Sequence, residues 1–274
     1  MQSASVTINV MPVPALASRL STRLVSIPGV IAVSLGGSHA RGAAHPDSDL
    51  DLGLYYDPSR PLDAAQLNDL CRQIDDDGVA QATLPGEWGP WVDGGAWLTI
   101  KGQRVDFIYR DLRRVEISIN DALAGQVILH AQVGHPHGIH SHHYAAELAL
   151  SVVLLDPHGR LKELKERLGA YPQALRVALE RHYAWQPQFW LEGAVKGQAR
   201  GDVHWLQGCA YQAVMAMAQT LCARHGVWLT NEKGAVRAAA NVPDAPPDFE
   251  SRIQTALSTL DLEGLRSLSA EVSR

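Results

Sequence analysis

Three carboxylates crowd into the five residues "DSDLD", where Asp47, Asp49 and Asp51 alternate with Ser48 and Leu50, shortly after the glycine-bearing segment "LGGSHARG". Alternation of this kind has the period of a strand, which sends Asp49 and Asp51 to one face and Leu50, Leu52 and Leu54 to the other. Two carboxylates held that close repel by on the order of 3 kcal/mol at an intermediate dielectric, and a divalent cation between them reverses the cost. Oxygen-only ligation suits Mg²⁺, which takes one or two carboxylates and completes its shell with water and phosphate oxygens. The chemistry available to such a pattern is metal-assisted phosphoryl transfer.

The segment upstream supplies the anion half of that site. A strand ending at Gly36, Gly37 and Ser38 lets backbone amides approach a ligand closely, and a helix expected over "HARGA" aims its N-terminus and Arg41 at a phosphate. Two familiar alternatives fail on specific residues. Asp47, Asp49 and Asp51 match the start of a calcium-binding EF-hand loop, but Leu52 and Pro58 stand where that loop needs Gly and Glu. Gly37 and Gly42 frame a P-loop, but Ala43 and Ala44 replace its essential Lys and Ser/Thr. A solvated edge strand with surface aspartates is the remaining alternative, and the glycines and serine ahead of it weigh against that.

Several elements must position these residues. Pro14 to Ser26 reads as an amphipathic helix closed by Pro28 and Gly29, "VIAVSLGGS" as a buried strand entering a turn, and "DLDLGLYY" as a second strand. "DAAQLNDLCRQI" follows as a helix, and "GAWLTIKGQRVDFIYRD" as a hairpin turning near Lys101 to Gln103. Beyond about Gly125 the spacing becomes helical. Tyr144, Leu148, Val152 and Leu155 mark one helix entered through Ser141 and stopped by Pro157, and further helices are expected over 161–168, 173–196, 203–225 and 249–260. The fold class is α+β, with a small mixed-sheet domain over 1–125 and an all-helical domain over 126–274.

Bulk properties narrow the partners. The 274 residues carry a net charge of −5 and no basic block, which argues against nucleic acid and favours a small-molecule or protein partner. Cys71, Cys209 and Cys222 are scattered without CxxC spacing and read as buried apolar residues. The N-terminal stretch "MQSASVTINVMPVPALASRL" lacks a leader pattern and no window suits a membrane span, so a cytoplasmic location is expected.

The string Gly37-Ser38, Ala40-Arg41-Gly42 and Ser48-Asp49-Leu50-Asp51-Leu52 resembles the signature of the DNA polymerase β-like nucleotidyltransferase superfamily. The order of domains is similar to that of two-domain aminoglycoside-type (kanamycin-like) adenylyltransferases and of minimal nucleotidyltransferases. The resemblance implies an NTP-using, Mg²⁺-dependent transferase that moves an NMP, by default AMP from ATP, to a hydroxyl of a small acceptor such as an aminoglycoside-like compound. It implies that Asp49, Asp51 and a third carboxylate, matched by Asp106 in "QRVDFIYRD", hold two metal ions, with Asp106 able to activate the acceptor. Asp111 is the fallback, better suited to cap a helix. Gly37, Ser38 and Arg41 would hold the triphosphate, and Lys233, from the polar set Arg200, Asp202, Asn231 and Lys233, would add a phosphate contact from the helical half. An antitoxin-type protein that binds or modifies a protein partner is the alternative from another functional class.

Three features compete with structural explanations. Some relatives draw a base from the second domain, which brings Glu147 in "YAAELALSVV" forward, against a helix-dipole role in a first turn. The histidines His135, His137, His140, His142 and His143 fall among prolines and glycines in an expected irregular loop without fixed zinc spacing. Trp88, Trp91 and Trp97 are expected to pack the hairpin rather than line an acceptor pocket.

Overall fold

The computed structural model describes residues 13–274, so the first twelve, part of the stretch read above for a leader, lie outside the described residues. The chain divides into two compact units, one formed by residues through Ile117 together with Glu147–Arg167, the other by Ser118–Ala146 together with Leu168–Arg274. The segment 147–167 thus returns to the first unit, a departure from the expected division into 1–125 and 126–274.

In the first unit α1 (Ala15–Val25) precedes β1 (Val30–Leu35), the four-residue α2 (Gly37–Ala40), β2 (Leu50–Tyr56), α3 (Ala64–Ile74), β3 (Gly95–Ile100) and β4 (Gln103–Asp111). The helix α4 (Leu112–Ala124) follows and runs into the second unit. The sheet order is β3-β4-β2-β1 with a later strand, described below, at the far edge. Only β2 and β4 pair in parallel, and their register sets Leu50 against Val105, Asp51 against Asp106 and Leu52 against Phe107. Period-two alternation therefore builds two chemically different faces. Leu50, Leu52, Leu54, Val105, Phe107 and Tyr109 are buried in the core cluster shared with α1 and α3.

Local sequence explains the ends of these elements. The β3–β4 turn uses Lys101 and Gly102, both with positive φ (53° and 76°), the backbone shape that matches strand twist in a two-residue hairpin. Asp76 reinforces it by accepting from the Lys101 and Gly102 amides at 2.7 and 2.8 Å. Asp63 caps α3 by accepting from the Gln66 amide at 3.0 Å, and Asp111 accepts from the Arg113 and Arg114 amides at 2.8 and 3.3 Å, the capping role expected of it. Trp88 stacks on Trp97 at 4.3 Å, so these two rings pack on each other beside the hairpin.

The helical half departs from expectation in three places. Residues 126–140 are not an irregular loop: β5 (Leu129–Gln132) and β6 (His135–His140) form a small antiparallel sheet. The helix read through Leu155 ends earlier, as α5 (His143–Leu150), and Val152–Leu155 form β7, the edge strand antiparallel to β1. Ser141 does not cap α5; its hydroxyl accepts from Ile128 N, and Ser118 Oγ instead accepts from Ala145 N at 3.0 Å. The helix expected over 173–196 is two, α7 (Gln173–Tyr183) and α8 (Gln186–Arg200), with Pro187 in the first turn of the second. The helices α6 (Arg160–Leu168), α9 (Val203–Arg224), α10 (Ala235–Ala240), α11 (Phe249–Thr259) and α12 (Leu262–Val272) complete the chain. All three cysteines are buried, and among the described residues no helix is long and apolar enough to cross a membrane.

The histidines of β6 are core residues of the second unit. His137 donates through Nδ1 to Gln212 Oε1 (3.0 Å), which leaves its Nε2 to accept from the Tyr183 hydroxyl (3.1 Å); His140 Nε2 then donates to the same oxygen at 2.5 Å. Glu232 accepts from His135 Nδ1 at 3.2 Å and from the His137 amide at 2.9 Å. Burial pushes His137 and His140 below the ordinary value of 6.5 and holds His142 at about 3, with neighbouring histidines adding to the shift of the last two. A depressed histidine costs the fold nothing at neutral pH. Below 6.5 the unfolded chain takes up protons that the native state refuses, about 1.4 kcal/mol per pH unit for each such group. The urea midpoint should hold steady from pH 8 to 7 and then fall steeply below 6.5. For His142 that loss should continue toward pH 3, and His142→Phe should flatten part of the decline.

Candidate active site

The polar face of the sheet is built on the strand pair β2 and β4. Asp51 lies opposite Asp106 in the parallel register, and Arg104 and Arg110 stand two residues before and four after Asp106 on that same face. Asp49 precedes the first paired residue of β2 by one position. The turn after β1 is fastened to this strand by the Gly36 amide, which donates to Asp51 O at 2.9 Å.

Gly37 explains why glycine is needed in that turn. Its φ is +59°, and a Cβ at this position would lie 1.7 Å from Asp51 Oδ2. The carboxylate of Asp51 is therefore packed directly on the backbone of Gly37, and any larger residue there would strain the backbone and push that carboxylate aside. The helix expected over "HARGA" starts two residues earlier, as Gly37–Ala40, so Ser38 lies within it and Arg41 is its C-cap rather than an interior residue. Arg41 nevertheless lies near enough to act on the charge of Asp51.

Charge is crowded around Asp51. Its carboxyl is held above the ordinary aspartate value, first by burial, then by the negative charges of Glu147 and Asp49, with Arg110 and Arg41 pulling the other way. Glu147 is not a first-turn glutamate favouring the helix dipole: it is the fifth residue of α5, which has no acidic residue in its first turn. It accepts from Arg110 Nη2 through Oε1 at 2.8 Å, and Arg110 Nε stands 2.7 Å from its Oε2 as the rest of the ion pair. Lys165 of α6 anchors the end of this helix by donating to Leu148 O at 2.7 Å and Ser151 O at 2.6 Å.

Asp49 is engaged differently. Arg104 Nε approaches its Oδ1 at 2.6 Å with both side chains substantially exposed, 65% and 39%. Arg104 Nη2 also donates to Asp47 O at 3.0 Å, and Gln103 Nε2 to Ser48 O at 2.8 Å. The loop carrying Asp49 is thereby tied to the first two residues of β4.

Among the described residues no group of three His, Cys, Asp or Glu forms a ready-made metal cage. The donors nevertheless suit a hard divalent cation, which needs only one or two carboxylates. Asp51 and Asp106 are neighbours across the strand pair, and the like charge around Asp51 is what a cation would relieve. The sheet thus brings together Gly37, Arg41, Asp49, Asp51 and Asp106, with Ser38 in the adjoining turn. Lys233 belongs to the other unit and is exposed. Arg104 and Arg110 were not anticipated, although alternation along "QRVDFIYRD" puts both on the face of Asp106.

Residues 17–119 match the family model described as a nucleotidyltransferase domain. The chain carries a nucleotidyltransferase domain. The match ends before Glu147, so the carboxylate next to Asp51 is contributed from outside the matched segment. A nucleotidyltransferase-like protein from Exiguobacterium sibiricum, known from a crystal structure, is similar over 93% of this chain and 74% of its own, at 12% identity and a TM-score of 0.40. No curated protein matches the sequence.

The Gly37–Asp51 contact can be tested directly. Gly37→Ala combines a strained φ with displacement of the Asp51 carboxylate and should cost about 1–3 kcal/mol in chemical denaturation. Asp51→Asn should do the opposite and raise the denaturation midpoint at pH 7. A carboxyl whose native pKa is raised is most compatible with the fold when protonated, and the amide mimics that state at every pH.

Proposed function

We propose that this nucleotidyltransferase domain transfers a nucleoside monophosphate, AMP from ATP by default, to a hydroxyl of a small-molecule acceptor with two Mg²⁺ ions. Transfer of a nucleoside monophosphate is the general activity of such domains; the acceptor, the nucleotide and the metals are the proposal. The observation that carries it is the placement of Asp51, seated on Gly37, in register with Asp106 and within the field of Glu147.

In this reading Asp51 and Asp106 hold the metals and Asp49 joins them. Bound there, the ions would supply charge stabilisation for the attacking and leaving oxygens of an in-line displacement. The backbone of Gly37, the Ser38 hydroxyl and Arg41 orient the triphosphate. Glu147, fixed by the Arg110 fork, is the carboxylate placed to accept the proton of the acceptor hydroxyl, a role shared in the family resemblance with Asp106. A cationic, aminoglycoside-like acceptor suits the acidic balance of the chain, and a cytoplasmic setting, where ATP and Mg²⁺ abound, belongs to the same reading.

The experiment is a pyrophosphate-release screen with Mg²⁺, each of four NTPs and a panel of hydroxyl acceptors. Asp51→Asn should reduce turnover at least about a hundredfold, and Glu147→Gln should lower kcat about 10²-fold with little change in the KM for NTP. Wild-type turnover in Asp51→Asn would sink the assignment. No pyrophosphate from any acceptor, together with stoichiometric recovery of a protein partner, would move the reading to the antitoxin type.

A further inference from the structure

Two arginines project from the same face of β4 and neutralise two different acids, but they do so on different terms. Arg110 meets Glu147 with both partners largely shielded, side chains 10% and 26% exposed, with Nη2 donating to Oε1 at 2.8 Å and Nε 2.7 Å from Oε2. Breaking such a pair would leave a charge stranded away from water. Arg104 meets Asp49 through Nε, 2.6 Å from Oδ1, with 65% and 39% of the side chains exposed. Exposed pairs of this kind contribute little, because water competes for both side chains. The first pair is suited to persist through a reaction cycle, and the second to be exchanged.

We propose that Arg104 is an exchangeable internal counter-ion of Asp49, which a divalent cation displaces when it loads onto the acid face. This rests on the metal-dependent reading above. With Arg104 Nε 2.6 Å from its Oδ1, Asp49 cannot take a cation at about 2.0–2.1 Å without bringing two positive centres onto one carboxylate, which weakens the hold on the guanidinium. Once released, the guanidinium remains tethered two residues from Asp106, on the same face of β4, where a polyphosphate is the natural new partner. Gln103 keeps its own bond to Ser48 O, so the loop bearing Asp49 stays fastened to β4 while the arginine leaves. Arg104 is in this sense a positioning residue that sets how readily the metal site fills.

The test is Mn²⁺ binding followed by electron paramagnetic resonance of the free ion, in the absence of nucleotide, with Mg²⁺ as competitor. Arg104→Gln should bind Mn²⁺ about three- to tenfold more tightly than wild type, because no cation has to be displaced. Arg104→Lys, which keeps the charge, should stay near wild type, a contrast that loss of a merely structural contact would not produce. Asp51→Asn identifies the site by abolishing binding, and thermal melts establish that each variant is folded. Unchanged or weaker binding in folded Arg104→Gln, with wild type binding and Asp51→Asn silent, overturns the exchange and leaves the metal reading standing. Absence of Mn²⁺ binding by wild type overturns both.

Discussion

Seating the carboxyl of Asp51 against the backbone of Gly37, with Glu147 and Asp49 near enough to repel it, is a local cost that the fold must carry. The rest of the first unit can be understood as the scaffold that makes this tolerable. The apolar side of β2 and β4 supplies burial through Leu50, Leu52, Leu54, Val105, Phe107 and Tyr109, and the backbone bond from Gly36 to Asp51 keeps the turn from drifting off the strand. Opposite charge is rationed: Arg110 and Arg41 act on Asp51, yet burial together with Glu147 and Asp49 still holds its carboxyl above the ordinary value. Sites prepared for a cation or a developing positive charge have this imbalance, whereas a purely structural acid is usually paired outright.

Glu147 shows how chain topology can complete a site that one continuous segment begins. The hairpin and helix after Ile117 leave the sheet, and α5 then returns to it, placing its fifth residue beside Asp51 before β7 closes the edge. The Arg110 fork fixes this carboxylate in one orientation, and the Lys165 ammonium secures the carbonyl end of the helix that carries it.

The two strands of the acid face were legible in the sequence because period-two alternation and a glycine turn both act locally. The partnership of Asp51 with Asp106 came from the family resemblance, which asks for a third carboxylate on a neighbouring strand, and the parallel register sets the two residues opposite each other. Arg104 and Arg110 could have been found by carrying the same alternation outward from Asp106. Other features needed tertiary information. "SVVLLDP" continues an apolar run that suits a helix or a strand equally, and the available edge of β1 decides in favour of the strand. "GHPHGIH" looks like a string of breakers, yet Gly134 and Gly138 take positive φ of 89° and 99° inside a hairpin that buries its histidines against Tyr183. Pro187 was a readable signal for a new helix, since proline fits a first turn and not an interior.

The placement of β7 bears on how this protein could be dissected. A fragment ending at residue 125 would contain the whole sequence matched as a nucleotidyltransferase domain, yet it would lack the strand that pairs with Val33, Ser34 and Leu35. The bare amides and carbonyls of β1, flanked by apolar side chains, would then invite a neighbouring molecule to add the missing strand. Insolubility of such a fragment would report a broken sheet margin and say nothing against the chemistry of the intact chain.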